Sequence, residues 1–169
     1  MLVTVDFDLA EGVDCPLDEN ECLSICEVVL SEEGVTRPCF VSLSIVDDEE
    51  MREKNLEWRD VDSVTDVISL ECERPDDPDL AEDEPCELGD IVLAPDYIAR
   101  QAAQFGTTPA DEMRLLLVHG LLHLLVYDHL EEDEAQEMEA REDELLSLMP
   151  TDGTLGRVVI TRHREDDPA

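Results

Sequence analysis

Residues Leu2 to Asp8 alternate apolar side chains with Thr4, Asp6 and Asp8, the two-residue period of a strand packed on one face. From Pro16 to Ser31 the spacing changes to that of a helix, with Leu17, Cys22, Ile25, Val28 and Val29 on one side and Gly34 as a stop. Phe40 to Val46 is again β-rich. Asp47 or Asp48 then caps a short helix running to about Arg59, so the chain opens as βαβα. Val64 to Leu70 and Glu87 to Leu93 read as two more strands. Between them, ERPDDPDLAEDEP holds too many prolines and carboxylates for a packed element and predicts an exposed loop.

The C-terminal third changes character. Thr108, Pro109 and Asp111 form a cap with proline at the first helical position, and the helix they open is apolar on nearly every side, as a buried central helix must be. Asp128 with Glu131 repeats the capping arrangement and starts a last helix, whose inner stripe is Ala135, Met138, Leu145 and Met149. The nine carboxylates between Glu131 and Glu144 read mostly as its solvated face. Residues 1–150 form the folded domain. Residues 151–169 are a polar tail, with room for a short strand at Val158 to Ile160 before a frayed HREDDPA end.

Charge sharpens this picture. Eleven Lys and Arg stand against 46 Asp and Glu, a net −35 over 169 residues, which repels phosphate backbones at long range and argues against nucleic acid as a partner unless local chemistry overrides it. Ten of the cations are Arg, and Lys54 is the one lysine. Such an acid-rich, lysine-poor balance suits salty surroundings, and a compositional bias of the genome is the alternative source of it. Six cysteines, at 15, 22, 26, 39, 72 and 86, form no CxxC pair and read as reduced thiols, with Cys22 and Cys26 as buried apolar positions one helical turn apart. The first residues carry no export signal. The longest apolar run, Leu115 to Val126, is too short to span a bilayer, so the expected location is the cytoplasm, with no membrane partner.

Candidate chemistry is concentrated in HGLLHLLVYDH, which holds three of the four histidines; His163 lies in the tail. His119 and His123 are four residues apart on one helix, so their imidazoles share a face and can share an ion. His129 lies beyond the helix end, and a turn at Tyr127 and Asp128 returns it to complete three nitrogen ligands around zinc, leaving a fourth position for water. Three unpartnered imidazoles inside a leucine-rich segment would each leave buried nitrogens unsatisfied at about 1–3 kcal/mol. A metal removes that cost. An imidazole set favours zinc, with nickel and copper as the alternatives.

The spacing HxxxHxxxxxH also occurs in metzincin proteases, where a glutamate after the first histidine is the general base and a glycine allows the turn. Here those positions are Gly120 and Val126, so peptide hydrolysis lacks its proton acceptor.

Longer motifs decide between reactions. HGLLHLLVYDHLEEDEAQEM resembles the YbeY endoribonuclease signature HGxLHLxGYDH with its following EAxxM, Val126 replacing the glycine. KNLEWRDVDSVTDVISLE is similar to that family's LNxxYRxxDxPTDVLSFP, keeping Asn55, Arg59, Asp62, Thr65, Asp66, Val67 and Ser69, and Leu88, Gly89 and Asp90 match its LGDI segment. It departs at Val61 and Ser63, where relatives often carry lysines, and at Val64 and Glu71, where they carry prolines.

The resemblance implies an α+β single domain: a small four-stranded mixed sheet packed by about five helices, with the zinc motif on the buried central helix. It further implies a zinc-dependent endoribonuclease specific for single strands, acting on rRNA in small-subunit maturation and ribosome quality control, with the small ribosomal subunit rather than DNA as partner. On that footing His119, His123 and His129 hold one zinc, a zinc-bound water is the nucleophile, and Arg59 contacts the scissile phosphate. The bland alternative for Arg59 is a surface ion pair, and Arg100 and Arg114 are further candidates to line an RNA groove. Asp128 either orients a ligand imidazole or caps the last helix, which alone explains an aspartate there. Thr65, Asp66, Ser69 and Asp90 are expected to shape strands rather than react. The competing function is a ribosome-assembly binding factor whose zinc is mainly structural.

Overall fold

The computed structural model describes residues 3–125 and 132–149, the side chains of 132–135 excepted. Four strands, β1 (Val3–Leu9), β2 (Cys39–Ile45), β3 (Val67–Glu71) and β4 (Cys86–Leu93), form one sheet in the order β1-β2-β4-β3. β1, β2 and β4 run parallel and β3 is antiparallel to β4, the mixed four-stranded sheet expected. Five helices complete the described residues: α1 (Glu19–Glu32), α2 (Asp48–Arg59), α3 (Pro95–Phe105), α4 (Pro109–Leu124) and α5 (Glu132–Leu146).

Local side-chain chemistry sets most helix starts. Asp18, Asp47 and Thr108 each accept a hydrogen bond from the backbone N–H three residues on, satisfying a donor that the first helical turn leaves open. α1 therefore begins at Glu19 rather than Pro16. It ends where Gly34, at φ +75°, lets Val35 N–H reach back to the Leu30 carbonyl. α3 was not among the elements predicted. Its N-cap, Ala94, offers no side-chain hydrogen bond, so Pro95 is its only start signal.

The sheet has two unlike faces. Val3, Cys39, Val41, Leu43, Ile45, Cys86, Leu88, Ile91 and Leu93 join α1, α3, α4 and α5 in the main core. On the opposite face, Met51 of α2 packs with Val46, Ile68, Val92 and Ala94 in a smaller cluster. In β4 the inward positions change parity between Leu88 and Ile91. One extra residue makes the change: Phe40 pairs with Glu87 but Val41 with Gly89, a β-bulge. Gly89 sits at φ +143°, and a Cβ there would lie 2.0 Å from the Leu70 carbonyl oxygen. Only glycine lets β3 and β4 approach so closely.

β3 starts at Val67, three residues later than the apolar pattern suggests. Asp66 is buried, its carboxylate accepts from Val67 N–H, and its carbonyl accepts from Ala94 N–H, so it anchors the strand entry instead of pairing. The acidic 72–85 segment is the loop expected. Arg37 holds it by donating to the Pro75 carbonyl at 3.1 Å, the Glu84 carbonyl at 2.5 Å and the Ala81 carbonyl. All six cysteines are free thiols, and Cys22 and Cys26 are buried in the core as expected. Among the described residues no helix is long and apolar enough to cross a membrane.

Candidate metal centre

α4 lies at the centre of the helical layer, against β3, β4, α1, α3 and α5, and every residue from Ala110 to Leu122 is buried. Gly120 faces the sheet. A Cβ there would already meet the Ile91 side chain at 3.3 Å, so the position that is glutamate in metzincins is crowded against the sheet and a larger side chain would have to displace Ile91.

His119 and His123 sit one turn apart near the C-terminal end of α4. Their rings meet edge to face, with centroids 4.6 Å apart and planes at 82°, and the two Nε2 atoms are separated by 3.1 Å. His119 is 3% exposed and its Nδ1 lies 2.9 Å from Oε2 of Glu142, a carboxylate on α5 with no exposed surface. An ionised carboxylate there only accepts, and with Glu142 ionised the imidazole proton sits on Nδ1 and the lone pair on Nε2, toward His123. Two nitrogens bound roughly 2.0–2.1 Å from one tetrahedral ion stand about 3.3 Å apart, so the pair has the spacing that a shared zinc requires. Two such lone pairs repel unless a proton or a cation lies between them.

His129, Asp128 and Val126, with the Asp128–Glu131 cap, lie outside the described residues, as do His163 and the 151–169 tail. Among the described residues no group of three or more His, Cys, Asp and Glu side chains is arranged to hold an ion. The described donor set is thus a histidine pair oriented by a carboxylate.

Glu142 is an exception to the mostly solvated carboxylates expected of α5. It lies four residues after Met138 and three before Leu145, both fully buried, and so falls on the apolar stripe itself. A carboxylate interrupting such a stripe was the signal available in the sequence.

Arg59 is the last residue of α2, whose Met51 packs in the smaller cluster. It is half-buried and makes no ion pair or hydrogen bond with any described residue. The other described cations are engaged: Arg52 with Asp62, Lys54 with Glu50, Arg74 with Glu71, Arg100 with Asp48, Arg141 with Glu33, and Arg37 with the loop carbonyls. Arg114 is buried and paired with Glu21 and Asp111, both at 2.7 Å, so it lines no groove. The surface ion pair considered for Arg59 is not formed among the described residues, and Arg114 is withdrawn as an RNA contact. No described contact joins Arg59 to either histidine.

The residues around Arg59 are structural. Asn55 is 1% exposed and its Nδ2 donates to the Ser63 carbonyl, Asp60 takes the left-handed conformation that ends the helix, and Asp62 receives Arg52. The guanidinium of Arg52 holds the Asp62 carboxyl below its usual range. Together these contacts fix the loop from α2 to β3.

Fold and site together define a class: a single-sheet α+β protein built around a buried helix that carries a carboxylate-oriented histidine pair. A family profile described as Endoribonuclease YbeY matches residues 12–149. Endoribonuclease YbeY of Mycolicibacterium vanbaalenii is 40% identical over 147 residues, covering 85% of this chain and 79% of that protein. The Mycolicibacterium gilvum protein of the same name is 39% identical, over 85% and 82%. The chain belongs to the YbeY endoribonuclease family. The solution structure of TM1509 from Thermotoga maritima, at 20% identity, superposes with a TM-score of 0.54 over 98% of both chains and shares the fold.

Proposed function

We propose that this chain is a zinc-dependent endoribonuclease that cuts single-stranded rRNA during maturation of the small ribosomal subunit. The observation that supports the metal is the 3.1 Å approach of the His119 and His123 Nε2 atoms, a separation that fits two nitrogens on one ion. Family membership carries the RNA.

His119 and His123 would hold the ion from α4, with His129 as third ligand by its place in the motif. Zinc supplies a Lewis acid and brings the pKa of water to about 7. Arg59 is the residue for the phosphate. Its donors are uncommitted among the described residues, and in a chain of net −35 an unneutralised guanidinium is a scarce feature. It would bind a phosphate oxygen and stabilise the charge that develops as water adds. The acidic surface would then select against duplex sliding and favour RNA delivered on a ribosomal surface, where few phosphates need contact this chain.

His123→Ala tests the proposal. The variant should lose cleavage of an unstructured RNA while keeping its fold, and cells carrying it should accumulate unprocessed small-subunit rRNA. Normal processing alongside lost zinc would favour the assembly-factor reading instead.

A further inference from the structure

We infer that Glu142 is the positioning residue of the histidine pair, setting the tautomer of His119 and the charge of the metal centre from α5; this rests on the metal reading proposed above. Its place in the fold is the first reason. Glu142 has no exposed surface, lies between buried Met138 and Leu145, and occupies a position where the stripe calls for an apolar side chain. A carboxylate retained there needs a partner, because burial disfavours a bare charge.

The second reason is geometry. Glu142 Oε2 is 2.9 Å from His119 Nδ1, the nitrogen pointing away from His123, while His119 Nε2 faces His123 at 3.1 Å. The carboxylate, the imidazole and the point between the two Nε2 atoms thus form one chain. A cation at that point completes it: the carboxylate holds the proton on Nδ1, leaves the Nε2 lone pair for the ion, and raises the basicity of the ring.

Third, α5 does not depend on Glu142 for its docking. Met138 and Leu145 pack in the main core, and the neighbouring Arg141 clamps α5 to the end of α1 through Glu33 at 2.5 Å and the Glu32 carbonyl at 2.8 Å. The carboxylate is therefore delivered to His119 by packing that exists without it, as a positioning role requires and a tether does not.

These two roles predict opposite results. Zinc affinity is measured on the full chain by competition with a chromophoric chelator, and the thermal midpoint of the metal-free form is measured alongside. Glu142→Gln keeps shape and an acceptor but removes charge, and should weaken zinc binding about 10- to 100-fold while the metal-free midpoint stays level or rises. Glu142→Asp, which restores the charge on a shorter arm, should recover part of the loss. Arg141→Ala should lower the metal-free midpoint. Equal zinc affinity in Glu142→Gln and the parent overturns the inference. So does a Glu142→Gln midpoint that falls as far as that of Arg141→Ala, which would make Glu142 a tether. A parent chain that binds no zinc removes the metal reading itself, a separate signal from either.

Discussion

The Leu70 carbonyl oxygen occupies the place where a side chain on residue 89 would begin: a Cβ on Gly89 would lie 2.0 Å from it and 3.1 Å from Cδ2 of Leu124, next to His123 on α4. The bulge in β4, the approach of β3 and the seating of the histidine-bearing end of α4 thus meet at one glycine. Gly89→Ala should destabilise the fold by on the order of 3 kcal/mol, since backbone must move and residue 89 is held at positive φ. Urea unfolding measures it, and a midpoint within error of the parent would show that the strands do not need this approach.

Gly120 gives a second steric prediction. Gly120→Glu, which would restore the metzincin general base, should cost at least about 3 kcal/mol by driving a carboxylate into Ile91, and should bring no peptide turnover. A stable Gly120→Glu protein that cleaves peptides would reopen the protease reading.

How much of this was legible follows from where the determinants lie. The caps Asp18, Asp47 and Thr108 act within three residues of themselves, and the sequence placed those helices to within three residues. The His119–His123 pairing was legible for the same reason, since helix geometry alone brings residues i and i+4 together. α3 was missed because Ala94 supplies no cap, and the start of β3 was placed early because Asp66 anchors the strand through contacts with β4 and its exit. Glu142 is one of eight acidic residues on α5. What distinguishes it is the partner it finds 23 residues away.

Arg59 is the test of the RNA reading. Arg59→Ala should lower kcat/KM for single-stranded RNA by on the order of 100-fold, with Arg59→Lys recovering only part, because a lysine cannot reproduce the two-pronged contact. Bound zinc should not change. Undiminished cleavage would remove Arg59 from the site.

The cysteines set an alkaline limit. Burial pushes the Cys22 and Cys86 thiols up to about 12 from an ordinary 9.0, with nearby thiols and carboxylates adding to the shift. The folded state therefore favours the protonated thiol. That contribution is fully present below pH 9.0 and is lost as pH rises from there toward about 12. Urea midpoints of the reduced protein should fall through this window, and fall less steeply in a Cys22→Ala, Cys86→Ala variant compared with its own value at neutral pH. Parallel declines would assign the effect to other groups.

The most direct test of the zinc site as the cutting centre is to strip the protein with chelator and titrate zinc back while following cleavage of a single-stranded rRNA fragment. Cleavage should vanish on stripping and return in step with bound metal, saturating at one zinc per chain, with His119→Ala and His123→Ala unable to recover. Cleavage that survives stripping, or that returns without zinc bound by the histidines, would contradict the account.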